Sequence, residues 1–142
     1  MGKKRIITKT GSGSEGKSKR SSFSSKKRVD TGILAIQSTY NNTKAVLTDT
    51  KGNTLAWSSS GSLGFKGAKK GTPFAAAKIG ETLALKAEAM GLKDVNVVIK
   101  GVGSGRESVV RGFISKGFNI LSIRDLTPVP HNGPRPPKPR RV

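Results

Sequence analysis

A chain of 142 residues with 27 Lys and Arg against 8 Asp and Glu has a formal charge of +19, so its natural complement is a polyanion. It contains no cysteine, which excludes a disulfide scaffold, a zinc ribbon and a thiol catalyst. The longest unbroken apolar runs, Ile33 to Ile36 and Phe74 to Ala77, are four residues each, far short of the ~20 that a membrane-spanning helix needs.

The charge is unevenly spread. Residues 1–30 hold ten basic and two acidic side chains, residues 31–127 thirteen and six, and residues 128–142 four and none. Segment 1–30 is rich in Lys, Ser and Gly and has too few apolar residues to offset its ordering entropy, so a flexible basic arm is expected. Its basic start, MGKKRIITKT, is followed by no apolar stretch, and a cytoplasmic address is expected. Residues 31–127 have the size of one domain.

Within that domain the apolar period is first two. Residues 33–39, 44–49 and 54–59 read as strands of a meander, with Asp49 to Asn53 as a hairpin turn and Trp57, alternating with Leu55, assigned to the core. Thr72 reads as an N-cap before Pro73, and Ile79, Leu83, Ala87 and Met90 recur at helical spacing until Gly91. Residues 95–100 form the next strand, with Val95, Val97 and Ile99 on one face. Ser104 and Glu107 read as a capping box opening a short helix, with Val110, Phe113 and Ile114 inward and Gly117 as its stop. Residues 120–126 are the last strand. The order βββαβαβ predicts an α/β fold, a mixed sheet partly covered by two crossover helices. Residues 128–142 carry six of the seven prolines and read as an extended tail.

Two glycine-rich segments precede helices. Residues 61–73 place Lys66, Lys69 and Lys70 among glycines before a helix N-terminus, where unpaired N–H groups attract phosphate; a plain solvated loop is the alternative, and no Walker A register is present. Residues 101–107 have the look of a dinucleotide turn, but Arg106 stands where the third glycine belongs, so Arg106 reads as a phosphate contact or the turn as a merely structural one. Tyr40, Asn41 and Asn42 form a hairpin tip suited to RNA or to a simple turn. Catalysis has little support. His131 is the single histidine and lies in the tail without a triad partner, and the first strand lacks the acid that a two-metal nuclease requires. The aromatic pattern fits neither an RRM nor a cold-shock platform. Asn132-Gly133 is the one Asn-Gly pair, the step most open to succinimide formation because glycine has no Cβ. Composition alone also admits a nucleoid-type, non-specific binder.

The run of STYNNTKAVLTD (38–49), WSSSGSLGFKGAKKGTPFAAAKIGE (57–81), IKGVGSGRES (99–108) and SIRDLTPVPHNGPRPPKPRRV (122–142) resembles the family of small-subunit ribosomal protein number eleven, the universal platform protein. Val102 stands where that family usually has proline, and Pro134 where it usually has cysteine. The resemblance implies a ribonuclease H-like sheet without catalysis. It also implies binding to small-subunit (16S) ribosomal RNA, with proteins six, eighteen and twenty-one as neighbours and messenger RNA nearby. No cofactor, metal, membrane or homo-oligomer is expected. The candidate RNA contacts are Lys26, Lys27 and Arg28 of the arm and Asn41 and Asn42 of the hairpin tip. They continue through Lys66, Lys69 and Lys70, then Arg106, Arg111 and Arg124. In the tail they are His131, Asn132, Arg135, Lys138, Arg140 and Arg141.

Overall fold

Alternating apolar residues and turn chemistry set the strands. The computed structural model describes residues 28–141, so Lys26, Lys27 and most of the expected arm lie outside the described residues. Strands β1 (Thr31–Ser38), β2 (Thr43–Asp49) and β3 (Thr54–Ser59) come first, then helix α1 (Pro73–Ala89), β4 (Asp94–Lys100), α2 (Gly105–Ile114) and β5 (Asn119–Asp125). This is the expected βββαβαβ order. At the β2–β3 turn, Asp49 Oδ1 accepts from the Lys51 and Asn53 N–H groups, both at 2.9 Å, and Gly52 takes φ 91°, which glycine does without steric cost.

The sheet order is β3-β2-β1-β4-β5. The β1–β2 and β2–β3 pairs are antiparallel, and β1–β4 and β4–β5 are parallel, because each helical crossover returns the chain in the same direction. Both helices pack on one face, where Leu34, Ile36, Leu47, Val95 and Val97 are at most 2% exposed. In α1, Thr72 Oγ1 accepts from the Ala75 N–H at 3.4 Å, as the cap reading requires. The buried stripe of α1 includes Ala75, Ala76, Ile79, Leu83, Ala84 and Ala87. Phe113 and Phe118 stack with ring centroids 4.5 Å apart and close the far side of this core.

The helices meet backbone to backbone. A Cβ on Gly80 would lie 2.3 Å from the Val109 carbonyl oxygen, and one on Gly112 would lie 2.5 Å from that of Ala77. This contact sets the rotation of α2. Its buried residues are Gly105, Val109, Val110, Gly112 and Phe113, so Ile114, expected inward, is instead 40% exposed.

Two further expectations are corrected. Trp57 is not core: it is 59% exposed, while Ala56 is buried and Ser58 is 3% exposed. The alanine-lined stripe of α1 runs so close to β3 that small side chains occupy the inward positions, and Trp57 takes the opposite face beside Val46. Ser104 and Glu107 form no capping box. Ser104 is helical, at φ −68° and ψ −15°, with no cap hydrogen bond, and its hydroxyl donates 3.0 Å to the Gly71 carbonyl. Glu107 instead lies 3.5 Å from Arg111.

Candidate nucleic-acid interface

The strand directions gather the candidate loops. β1, β3, β4 and β5 end, and β2 begins, at the same end of the sheet. The β1–β2 tip, the glycine-rich segment after β3, the start of α1, the β4–α2 turn and the start of the tail therefore share one end. The glycine-rich segment is not wholly a loop, since Gly67–Gly71 forms one turn of 3-10 helix with Lys66 just before it.

The hinge of this end is the β1–β2 tip. A Cβ on Gly71 would stand 2.3 Å from the Tyr40 carbonyl oxygen, one on Gly101 2.0 Å from that of Ser38, and one on Gly103 2.3 Å from that of Thr39. One on Gly105 would meet Thr43 Oγ1 at 2.6 Å. These glycines admit the protein's own backbone and, at Gly105, side chains rather than a nucleotide phosphate, which accounts for the dinucleotide-like spacing of 101–105. Asn42 is part of the same joint, its Oδ1 accepting from Ser60 Oγ at 2.5 Å, and Ser38 and Thr43 share a buried hydroxyl pair at 3.2 Å. Gly61, Gly64 and Gly67 are different, for a Cβ there would touch nothing within 4 Å.

Arg106 holds the start of the tail. Its guanidinium donates to the Gly101 carbonyl, to Thr127 Oγ1 at 3.1 Å and to the Asp125 carboxylate. Asp125 also accepts from the Thr127 N–H at 2.9 Å and hydroxyl at 2.5 Å. The Thr127 hydroxyl first, and Arg106 next, hold the Asp125 carboxyl at about 2 against its ordinary 3.8. With a depressed folded value, the contribution is present above 3.8 and is lost as pH falls through about 2. The Thr127 amide signal should therefore stay fixed on acidification until pH reaches that window. In Arg106→Met the transition should move up toward the ordinary value, and a wild-type midpoint already there would exclude the clamp.

The other candidates are placed as follows. Lys66 and Lys69 are exposed, Lys70 is half-buried, and Asn41 and Arg124 are exposed at the same end. Arg111 lies on the outer surface of α2. His131, Asn132, Arg135, Lys138, Arg140 and Arg141 are exposed along a tail without regular structure, in which Asn132 has φ 58°. Arg28 is not brought to this group: it precedes β1 at the opposite end, lining a cavity of about 740 Å³ with Asp49 and Lys51. The sequence reading missed the Arg106–Asp125–Thr127 clamp and the exposure of Phe74, which is 64% exposed and packs edge-on to Phe65 at 6.1 Å. The spacing of Arg106 and Asp125 carries no local signal, because their contact is made by the β4–β5 pairing.

Among the described residues, both carboxylates near this end, Asp125 and Glu107, face arginines, so the exposed lysines there meet no described acidic partner. No cluster of His, Cys, Asp or Glu suited to a metal ion is found among the described residues, and no described helix is long and apolar enough to cross a membrane. A mixed sheet with one helical layer, basic loops gathered at one end and a cationic proline-rich extension is the build of an RNA-binding structural protein. Residues 32–141 match the Ribosomal protein S11 family, and the chain belongs to that family. It is thus a structural protein of the small ribosomal subunit that binds ribosomal RNA.

Proposed function

We propose that the chain is a component of the small-subunit platform near the messenger exit path, fixed on 16S ribosomal RNA by the loop end of its sheet and by its tail. The observation that carries this reading is the convergence of Lys66, Lys69, Lys70 and Arg124 with the tail at one end of the sheet, where the nearby carboxylates already face arginines. Phosphates are the groups such a surface recognises, since lysine and arginine contacts fix position on RNA whatever its sequence. In this reading Arg111 and the tail residues His131, Asn132, Arg135, Lys138, Arg140 and Arg141 also contact RNA. Arg106 and Asn42 act by holding the tail and the hairpin tip in place. Lys26 and Lys27, which lie outside the described residues, and Arg28, at the other end of the sheet, also contact RNA in this reading. Proteins six, eighteen and twenty-one are the expected neighbours, a placement that the resemblance of the PHNG-RPPK tail supports.

The test is cosedimentation of the full chain with small ribosomal subunits through a high-salt wash. Retention is expected. Release with bulk nucleic-acid binders would show that the loop end and tail do not fix the chain on the subunit. The arm has its own expected result: deleting residues 1–27 should leave the fold intact and reduce the slope of log affinity against log salt, by roughly 0.7 to 0.9 for each phosphate that the arm had neutralised. The cut belongs there because Val29 packs on the core and the Asp30 carbonyl accepts from the Lys93 and Asp94 N–H groups, both at 3.0 Å.

A further inference from the structure

The helices cover one face of the sheet, and nothing among the described residues covers the other. Cross-strand register orders that face into rows. Lys44, Gln37 and Lys100 stand side by side on β2, β1 and β4. The next row is Trp57, Val46, Ala35, Val98 and Arg124, one residue from each strand, and the row beyond contains Ile33 and Asn96. Shallow depressions of about 380 and 210 Å³ lie among Ile33, Ala35, Val46 and Val98 and beside Arg124. All-parallel sheets are ordinarily covered on both faces, whereas antiparallel strands can leave one face to solvent. Here β1, β4 and β5 are parallel, and the apolar middle row is what a second layer would bury.

We propose that this open face seats a neighbouring protein of the small subunit that presents an apolar segment flanked by carboxylates. The inference rests on the ribosomal reading above and adds the surface and the chemistry of the contact. The choice of occupant follows from charge. Lys44 and Lys100 are exposed and border the apolar row, while among the described residues the one carboxylate on this face, Asp94, lies at the opposite end and accepts from the Asn119 amide at 3.0 Å. The chain's own residues 1–27, nine of them basic and one acidic, are repelled by that cationic border. A second copy brings the same cations. RNA gains little from Ala35, Val46 and Val98, since the row offers one aromatic ring, Trp57, for base stacking. An acidic, apolar protein segment satisfies both the row and its border.

The test uses small subunits carrying the full chain. A zero-length carbodiimide joins an ammonium to a touching carboxylate, so Lys44 or Lys100 should be recovered joined to an Asp or Glu of another small-subunit protein. Subunits rebuilt with Lys44→Glu and Lys100→Glu together should lose that protein on a salt wash, with an unchanged circular dichroism spectrum, as both side chains are exposed. Recovery of Lys44 or Lys100 peptides joined to nucleotides after ultraviolet irradiation would overturn the proposal in favour of RNA. Equal acetylation of both lysines in the free chain and in subunits would overturn it by showing the face bare, as would retention of the partner by the double variant. Failure of the ribosomal reading itself is distinct, since the chain would then not cosediment with subunits at all.

Discussion

Replacing Lys66, Lys69 and Lys70 together by Gln is expected to flatten the salt dependence of binding to small-subunit ribosomal RNA by about 2 to 2.7 units of log affinity per log salt, if each lysine neutralises one phosphate. The thermal midpoint should not move. These side chains stand on a segment in which a Cβ added at Gly61, Gly64 or Gly67 would meet nothing within 4 Å, and the 3-10 turn that carries Lys69 and Lys70 buries no residue. The measurement is binding over a series of salt concentrations, with a melting curve beside it. A lowered affinity at unchanged slope would mean that the lysines act through shape rather than through ion release. A lowered melting temperature would make the segment part of the fold.

Gly101→Ala should have the largest effect on stability. The new methyl would stand 2.0 Å from the Ser38 carbonyl oxygen, at φ 101°. Left-handed backbone costs an alanine about 1–2 kcal/mol, and forced overpacking adds about 1–3 kcal/mol. The sum is a large share of the roughly 5–15 kcal/mol that holds a domain together. A fall in the thermal midpoint of about 10 °C or more is expected. Gly52→Ala is the control. Its φ is 91°, but a Cβ there has open space, so only the backbone term applies. Equal losses at the two sites would show that the packing against Ser38 carries no weight.

Most of the element order was legible because each element obeys a local rule. Thr72-Pro73 marks the start of α1 and Gly91, at φ 78°, its end, and the alternation of Val95, Val97 and Ile99 gives the buried face of β4. The failures have a common origin in distance along the chain. Trp57 sits in an alternating strand whose two faces are both partly apolar, and the inward face is chosen by α1, whose alanines leave room for Ala56 and Ser58 only. The rotation of α2 depends on where Gly112 meets Ala77. The Ser104 hydroxyl bonds Gly71, 33 residues away. For the candidate interface, sequence yields the cations but not their grouping. The strand directions join Lys66, Lys69 and Lys70 to Arg124 and leave Arg28 at the opposite end, and Arg106 proves to be engaged by Gly101, Asp125 and Thr127.

The clamp at Thr127 also determines reach. From Pro128 to Arg141 the chain is exposed and has no regular hydrogen bonding, and five prolines beyond Pro128 restrain its backbone. At the polyproline rise of ~3.1 Å per residue, these fourteen positions span at most about 43 Å. With its origin pinned by Arg106, the tail works as a tethered probe rather than a free polymer. Arg135, Lys138, Arg140 and Arg141 lie along the distal half of this stretch, which on that scale reaches at most roughly 20 Å at Arg135 and about 43 Å at Arg141. If these residues contact RNA as proposed above, one small domain can bridge RNA segments separated by more than its own width.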